Sequence, residues 1–285
     1  MDIQWYPGHM AKARRILTEQ IKLVDVVVEI LDARIPVASR NPDIEDILGL
    51  RPRIYVLNKA DLAEEEATRA WSEKLGREGA TLPFVSTASN RKKAAQMISD
   101  AAAKEVRRME ERGVKKTVRA LVIGIPNVGK STFINCVAGG TRARTADRPG
   151  VTRGKQWVRV TPYLELLDMP GLLWPKLTPE RVALDLAFVG AVKDEIMDTE
   201  KLAMALLMRL REREGELLAA RYKLDTLSGE GEELLERICK KRGMILSGGR
   251  VDTLRGAQML LDEFRDGRIG RITLEKPEEI IDEGK

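Results

Sequence analysis

The sequence feature that most limits the possible fold is a glycine-rich segment near the middle of the chain. Residues Gly124 to Ser131 read Gly-Ile-Pro-Asn-Val-Gly-Lys-Ser and match GxxxxGK[ST], a pattern whose backbone amides surround phosphate groups. An apolar run, Val118 to Ile123, precedes the segment, and a helical pattern, Lys130 to Ala138, follows it. Because a chance glycine-rich turn would lack this strand and helix, the segment predicts an α/β fold that holds phosphate at a helix N-terminus.

Short apolar runs alternate with helical patterns through the first 175 residues. The further predicted strands are Val24 to Leu31, Arg53 to Leu57, Leu82 to Val85 and Tyr163 to Leu167. The predicted helices are Ala11 to Ile21, Glu64 to Leu75, Lys92 to Arg112 and Lys130 to Ala138. This alternation predicts a doubly wound, mostly parallel sheet that binds ligands at the carboxyl ends of its strands.

The last third of the chain has a different character. Helical patterns at Glu200 to Glu214, Glu230 to Lys241 and Asp252 to Phe264 occur there without a convincing strand. We therefore predict an α/β domain at residues 1–175 and a small all-α domain at residues 176–285, a division that suits the length of 285 residues.

The composition fits a globular protein of the cytoplasm. Cys136 and Cys239 are the only cysteines, and they have neither metal-ligand spacing nor a disulfide framework, which fits a reducing compartment. The sequence contains no signal peptide and no apolar run of about 20 residues, so we expect no association with a membrane.

A second motif, Asn58-Lys59-Ala60-Asp61, follows the predicted strand that ends at Leu57. A carboxylate at Asp61 can accept hydrogen bonds from the ring N–H and the exocyclic amine of guanine, whereas adenine offers no such pair on that edge. Such a site rejects the wrong base because a buried carboxylate would be left unpaired. We expect guanine to be bound by Asn58, Lys59, Ala60 and Asp61, with backbone amides of Ser86, Thr87 and Ala88 facing its carbonyl.

Two further segments complete a magnesium and phosphate site. Asp168-Met169-Pro170-Gly171 closes a predicted strand and matches DxxG, and Thr152 follows Pro149-Gly150-Val151. We expect Ser131, Thr152 and Asp168 to hold Mg²⁺, with Thr152 a ligand only in the triphosphate state. The residues expected to contact phosphate are Asn127, Val128, Gly129, Lys130, Ser131, Thr132 and Gly171.

These motifs resemble those of circularly permuted GTPases, in which the guanine-reading motif precedes the phosphate loop. The similarity is most specific to the ribosome biogenesis GTPase A family, through residues 5–10, 32–36, 40–42 and 260–275 as well as the motifs above. The resemblance implies a circularly permuted, Ras-like P-loop GTPase domain followed by helices that bind rRNA. It also implies an assembly factor that binds a late precursor of the large ribosomal subunit, promotes its maturation and leaves on GTP hydrolysis.

The position directly after DxxG is Leu172, where Ras-like GTPases carry a glutamine that orients the attacking water. Leucine can neither donate nor accept a hydrogen bond, so another group must take this role. The only histidine, His9, can polarise a water near neutral pH, and the resemblance points to the same residue. Capping of the following helix, or an RNA contact, is the alternative. We expect catalysis to depend on His9, Lys130 and Thr152.

Asn127 matches an asparagine that related GTPases use together with K⁺. A potassium ion there would offset charge that develops between the β- and γ-phosphates, and a loop-shaping role is the alternative. A site without its own glutamine predicts slow turnover that ribosomal particles stimulate.

The net charge of +5 is unevenly distributed. Residues 91–119 contain ten basic and four acidic side chains, and residues 237–255 contain six basic and one acidic. Both stretches predict contact with RNA, and a solvated helix face is the competing explanation for each. The RNA-binding residues expected in the second stretch are Arg237, Lys240, Lys241, Arg242, Arg250 and Arg255.

Two other functions are compatible with the sequence. The chain can act as an RNA-binding module that GTP switches while hydrolysis is incidental, which the leucine after DxxG keeps open. It can also act in translation or on tRNA. In each case we expect a monomer away from the ribosome.

Overall fold

The computed structural model describes residues 7–140, 156–174, 177–192 and 197–279, without the side chains of residues 7–13 and 156. The chain divides into a first unit, Met1–Leu177 with Glu275–Lys285, and a second unit, Thr178–Leu274. The sequence predicts a division into residues 1–175 and 176–285. The predicted boundary lies two residues earlier than the observed one, and the prediction assigns residues 275–285 to the all-α domain instead of the first unit.

The first unit is built on a six-stranded sheet. Its strands are β1 (Val26–Asp32), β2 (Arg53–Asn58), β3 (Ala80–Phe84), β4 (Val118–Ile123), β5 (Gln156–Thr161) and β6 (Leu164–Asp168). Their order is β3-β2-β1-β4-β6-β5, and all neighbours are parallel except β5 and β6. The predicted mostly parallel sheet is confirmed.

The antiparallel edge strand β5 is absent from the predicted strands. Of the other five, β4 has the predicted ends and the remaining four have one or both ends shifted by one or two residues. In β5, buried Val158 lies between exposed Trp157 and Arg159. This alternation is typical of an antiparallel strand with one covered face, and it differs from the fully buried central strand β1.

Six helices belong to the first unit within the described residues. They are α1 (Pro7–Gln20), α2 (Glu45–Leu48), α3 (Glu65–Leu75), α4 (Ala88–Ala101), α5 (Ala103–Glu110) and α6 (Lys130–Ala138). The single helix predicted from Lys92 to Arg112 is two helices, α4 and α5, which are separated at Ala102.

The central strand β1 is buried at every residue. It lies between β2 and β4, and its Asp32 pairs in register with Asn58 of β2. The carboxyl end of β1 therefore lies between the ends of the strands that carry the base motif and the phosphate loop.

The second unit is helical, as predicted. Its helices are α7 (Glu180–Phe188), α8 (Thr199–Tyr222), α9 (Gly231–Lys241) and α10 (Thr253–Arg265). The carboxylate of Asp198 begins α8 by accepting from the amides of Glu200 and Lys201, both at 3.1 Å. The predicted helix ends at Glu214, whose backbone is non-helical, but α8 continues beyond it.

In the second unit, the only strand-like pairing among the described residues is an isolated bridge between Ile245 and Val251. Within the described part of the chain, no helix has the length and apolar character that a membrane span requires.

Candidate functional site

The glycine-rich loop connects β4 to α6 through backbone conformations that favour glycine. Gly124 has φ 151° and Gly129 has φ 97°. A Cβ atom on Gly124 would lie 2.6 Å from the carbonyl oxygen of Ile30, and one on Gly129 would collide with the Asn58 amide. These glycines let the loop curl so that the N-terminus of α6, with its unpaired amides, closes it. Such a loop can hold an anion.

The side chain of Lys130 is buried at the first position of α6, and its Nζ donates to the carbonyl oxygen of Ile125 at 2.7 Å. Burial lowers the pKa of Lys130 to about 8, although the Asp168 carboxylate acts in the opposite direction. A phosphate placed in the loop would favour the charged form of this amine.

Asp168, at the carboxyl end of β6, faces the same loop. Its Oδ2 accepts from the Ser131 hydroxyl at 3.1 Å, whereas its buried Oδ1 has no hydrogen-bond partner among the described residues. Burial raises the pKa of Asp168, with Lys130 and the Ser131 hydroxyl acting against it. An unsatisfied carboxylate oxygen beside a hydroxyl is a donor set that fits a hard cation such as Mg²⁺.

The glycine of the DxxG segment packs directly on the phosphate loop. A Cβ atom on Gly171 would lie 2.7 Å from both Cα and N of Pro126, and the Leu172 amide donates to the carbonyl oxygen of Gly124 at 3.2 Å. The Leu172 side chain is buried in an apolar cluster that includes Leu17 of α1. The segment therefore touches the loop through its backbone, while the leucine in the glutamine position packs into the core.

The base motif begins at the last residue of β2. The Asn58 Nδ2 donates to the carbonyl oxygen of Val128 at 2.7 Å, which joins this motif to the phosphate loop. Ala60 donates its amide to the carbonyl oxygen of Phe84 at the end of β3, at 3.3 Å. Asp61 is exposed, so its carboxylate is accessible to a base.

The residues expected to face the guanine carbonyl lie directly after β3. Ser86 and Thr87 are exposed, and Ala88 is the first residue of α4. The Thr87 hydroxyl accepts from the amide of Asn90 at 3.3 Å and caps this helix. Because β2 and β3 are parallel neighbours, this turn and the base motif lie at the same edge of the sheet.

Two predicted catalytic residues cannot be placed. Thr152 lies outside the described residues, and so does the side chain of His9, although the His9 backbone belongs to α1. The C-terminal half of the same helix is anchored beside DxxG through Leu17, which packs in the cluster that contains Leu172.

Sequence reasoning gave no role to Asp32, which the structure places in this site. Its carboxylate is fully buried and lies 3.0 Å from the Nζ of Lys59 and 2.9 Å from both Nε and Nη2 of Arg34. The available signal was an acidic residue, followed two positions later by an arginine, at the end of an apolar strand.

The basic residues of the second stretch lie on and after α9, and their surroundings differ. Lys240 pairs with Glu236 at 2.9 Å and Lys241 with Asp225 at 3.2 Å, both on exposed surface. Arg237 donates to the carbonyl oxygens of Thr226 and Ser228.

Arg242 lies over the Tyr222 ring, with 5.3 Å from its Cζ to the ring centroid. Arg250 and Arg255 are exposed, and their side chains form no ion pair within the described residues. Three apolar side chains, Ile245, Leu246 and Leu254, are exposed beside these two arginines in sequence.

A phosphate loop, a DxxG segment packed on it and a base motif hydrogen-bonded to it define a P-loop GTPase. In this chain the base motif precedes the phosphate loop, so the GTPase domain is circularly permuted.

Known proteins identify the family. A family described as 50S ribosome-binding GTPase matches residues 119–236. Ribosome biogenesis GTPase A of Bacillus licheniformis is 45% identical over 285 residues, 98% of this chain and 100% of the relative. That of Bacillus cereus is 42% identical over 282 residues, 98% of this chain and 95% of the relative. A crystal structure of GNP-bound YlqF from T. maritima superimposes with a TM-score of 0.66 at 27% identity, covering 94% of this chain and 100% of that one. The chain belongs to the ribosome biogenesis GTPase A family.

Proposed function

We propose that this GTPase binds a late precursor of the large ribosomal subunit and its rRNA in the cytoplasm, promotes maturation of the particle, and leaves when GTP is hydrolysed. The nucleotide-binding part of this proposal rests on the hydrogen bond from Asn58 to Val128, which joins the base motif to the phosphate loop. The names of the relatives support the ribosomal part.

Guanine is bound, in this proposal, beyond the carboxyl end of β2, where the exposed Asp61 carboxylate reads the base. Asp61→Asn tests this role directly, because the new amide can donate to the extra carbonyl of xanthine. We expect weaker binding of GDP and stronger binding of xanthosine diphosphate, measured by nucleotide titration. Unchanged affinity for GDP would remove Asp61 from the base site.

The phosphates occupy the loop between β4 and α6, with Lys130 and the amides at the start of α6 as donors and the Gly171 amide facing the γ-phosphate. Ser131 and Asp168 would hold Mg²⁺ together with Thr152, and the unsatisfied Oδ1 of Asp168 supports this assignment. The bound ion would offset negative charge on the phosphate oxygens.

His9 is the proposed group that orients the attacking water, because Leu172 is buried in the apolar cluster and cannot do so. The packing of Leu17 in that cluster supports the role, since it fixes the helix that carries His9 beside DxxG. His9→Ala should reduce particle-stimulated turnover and leave GDP affinity unchanged. Wild-type stimulated turnover in this variant would contradict the proposal.

Asn127 is the proposed contact for K⁺. Its backbone is left-handed, with φ 56°, a conformation that asparagine tolerates better than most residues. If K⁺ is used, replacing it with Na⁺ at equal ionic strength should lower turnover in the wild type and have little effect in Asn127→Ser. Equal turnover of the wild type in both salts would remove K⁺ from the mechanism.

RNA is contacted, we propose, through two basic surfaces. The first is the exposed side of α4 and α5 in the first unit, where Lys92, Lys104 and Arg107 are exposed and α5 buries none of its residues. The second comprises Arg237, Lys240, Lys241, Arg242, Arg250 and Arg255 in the second unit. Phosphate contacts of this kind give affinity that falls steeply with salt.

A second candidate, an RNA-binding module in which hydrolysis is incidental, is favoured by the buried leucine at the glutamine position. The two functions differ in the step that releases the protein. If the protein stays bound to the particle with a GTP analogue that cannot be hydrolysed but is released with GTP, hydrolysis is functional. Equal release rates with both would favour the module.

A further inference from the structure

The segment after β1 forms a compact loop that begins beside the base motif and ends beside DxxG. At its start the Ala33 amide donates to the carbonyl oxygen of Asn58 at 2.9 Å, and at its end Asn41 Nδ2 donates to the carbonyl oxygen of Leu172 at 3.4 Å. In this β1 loop (residues 33–41), the Ser39 amide donates to the carbonyl oxygen of Ile35 at 2.9 Å, and the Ser39 hydroxyl donates to the same oxygen at 2.7 Å. The Asp32 amide in turn donates to the Ser39 hydroxyl oxygen at 3.1 Å. The loop is therefore fixed to the residue at the end of the central strand.

Asp32 holds the lysine of the base motif. Its Oδ2 lies 3.0 Å from Lys59 Nζ, and Arg34 donates to the same carboxylate from its backbone amide, Nε and Nη2, at 3.1, 2.9 and 2.9 Å. Burial alone would raise the pKa of Asp32, but the charges of Arg34 and Lys59 hold it well below its usual range. The carboxylate is thus a fixed anion beneath Lys59.

Lys59 lies in sequence between Asn58, which donates to the phosphate loop, and the exposed Asp61, the proposed base reader. The backbone of Lys59 is left-handed, with φ 57°, which is unusual for a lysine and needs support from its surroundings. The ion pair to Asp32 supplies that support.

The opposite side of the β1 loop is held by Glu275. The buried carboxylate of Glu275 accepts from the amide of Val37 at 2.6 Å and from that of Ala38 at 3.0 Å. Its carbonyl oxygen accepts from Trp71 Nε1 at 2.7 Å. These contacts attach Glu275, which directly follows the last residue of the second unit in sequence, to the loop that follows Asp32.

We propose that Asp32 is a positioning residue for guanine-nucleotide binding, holding Lys59 in the base site, and that Glu275 holds the β1 loop in the position this requires. The proposal rests on the base site assigned above. Asp32 acts on affinity through Lys59 and touches no reacting atom, so its loss changes binding and leaves the chemical step intact.

A double-mutant cycle tests the role of Asp32. GDP affinity is measured by titration with a fluorescent GDP for wild type, Asp32→Asn, Lys59→Met and the double variant. Asp32→Asn should weaken binding roughly tenfold, as expected on loss of a charged hydrogen-bond partner, with kcat at saturating GTP nearly unchanged. The double variant should bind no more weakly than Lys59→Met alone. Additive losses, or unchanged affinity in Asp32→Asn, would overturn the proposal.

Asp25→Asn is the matched control. Asp25 lies just before the opposite end of β1, where its Oδ1 is 2.8 Å from Lys116 Nζ and its Oδ2 accepts from the Arg119 amide at 2.9 Å. This variant also removes a lysine–aspartate ion pair, and it should retain wild-type GDP affinity. An equal loss of GDP affinity in the control would show that an ion pair at either end of β1 affects GDP binding. That result would contradict a specific role for Asp32.

Glu275→Gln keeps the proposal testable if Asp32→Asn does not fold. Neutralising Glu275 should speed hydrogen exchange at Val37 and Ala38 and weaken GDP binding a few-fold, with a smaller effect than the loss of Asp32. Faster exchange in the loop with wild-type affinity would overturn the link. Asp61→Asn distinguishes failure of the proposed base site from failure of the positioning proposal. If Asp61→Asn weakens GDP binding while the Asp32 and Glu275 variants do not, only the positioning proposal fails.

Discussion

The side-chain amide of Asn58 donates to the carbonyl oxygen of Val128 at 2.7 Å, so the base motif and the phosphate loop are joined across 70 residues of sequence. In this permuted chain the base motif precedes the phosphate loop in the sequence. Because β2 and β4 lie on either side of β1, this hydrogen bond connects the two motifs across the central strand.

Asn58→Ala removes this connection. We expect GTP and GDP affinity to fall together, roughly tenfold, because the variant leaves the buried Val128 carbonyl unpaired and frees the loop. Turnover at saturating GTP should change much less. Titration with both nucleotides checks this, and a selective loss of GTP binding would show that Asn58 acts at the γ-phosphate instead.

Gly171→Ala should damage γ-phosphate sensing, since the new methyl group would lie 2.7 Å from backbone atoms of Pro126. The expected result is at least a tenfold fall in kcat/KM for GTP, with a smaller change in GDP affinity. Gly140→Ala is the control, because its methyl group meets no atom of the described residues within 4 Å. If both variants retain wild-type kcat/KM, the close packing of DxxG on the loop has no functional role.

Glu29, in the middle of β1, predicts a pH dependence of stability. Burial is the main cause that raises its pKa to about 7, with Arg40 and Arg53 acting against burial and Glu45 and Glu78 adding to it. Between about pH 4.5 and 7 the folded state retains a proton that the unfolded state loses. This contribution therefore favours folding at low pH and is lost as the pH rises through 7.

Glu29→Gln should consequently stabilise the first unit at pH 8 by about 1–3 kcal/mol and have little effect near pH 4.5. All four tryptophans belong to the first unit, so thermal unfolding followed by tryptophan fluorescence reports on it alone. Equal shifts of the unfolding midpoint at both pH values would show that Glu29 is not held protonated.

Arg250 and Arg255 are exposed and form no ion pair within the described residues, so they are the sharpest test of the second RNA surface. Reversing both to Glu should weaken RNA binding and reduce the slope of log affinity against log salt by about one for each RNA phosphate that the protein no longer neutralises. Arg268→Glu, at an exposed arginine paired with Asp266 at 2.9 Å, is the control in the same unit. Identical slopes in all three proteins would argue for a solvated face.

The sheet and the nucleotide motifs were predictable because each motif directly follows an apolar strand, and parallel strands bring their ends to one edge. The edge strand β5 was missed, since Gln156–Thr161 alternates between polar and apolar residues and lacks the apolar run that indicated the other strands. No local sequence pattern predicts that Glu275, which follows the second unit, belongs to the first unit. Its carboxylate caps amides 237 and 238 residues away, which no spacing rule detects.

In the proposed function, GTP controls association of the protein with the precursor of the large ribosomal subunit. The most direct measurement is co-sedimentation of the protein with purified precursor and mature large subunits, in a non-hydrolysable GTP analogue and in GDP. We expect retention on the precursor with the analogue, release with GDP, and weak binding to the mature subunit. Equal retention with both nucleotides, or a preference for the mature subunit, would show that GTP does not control this association.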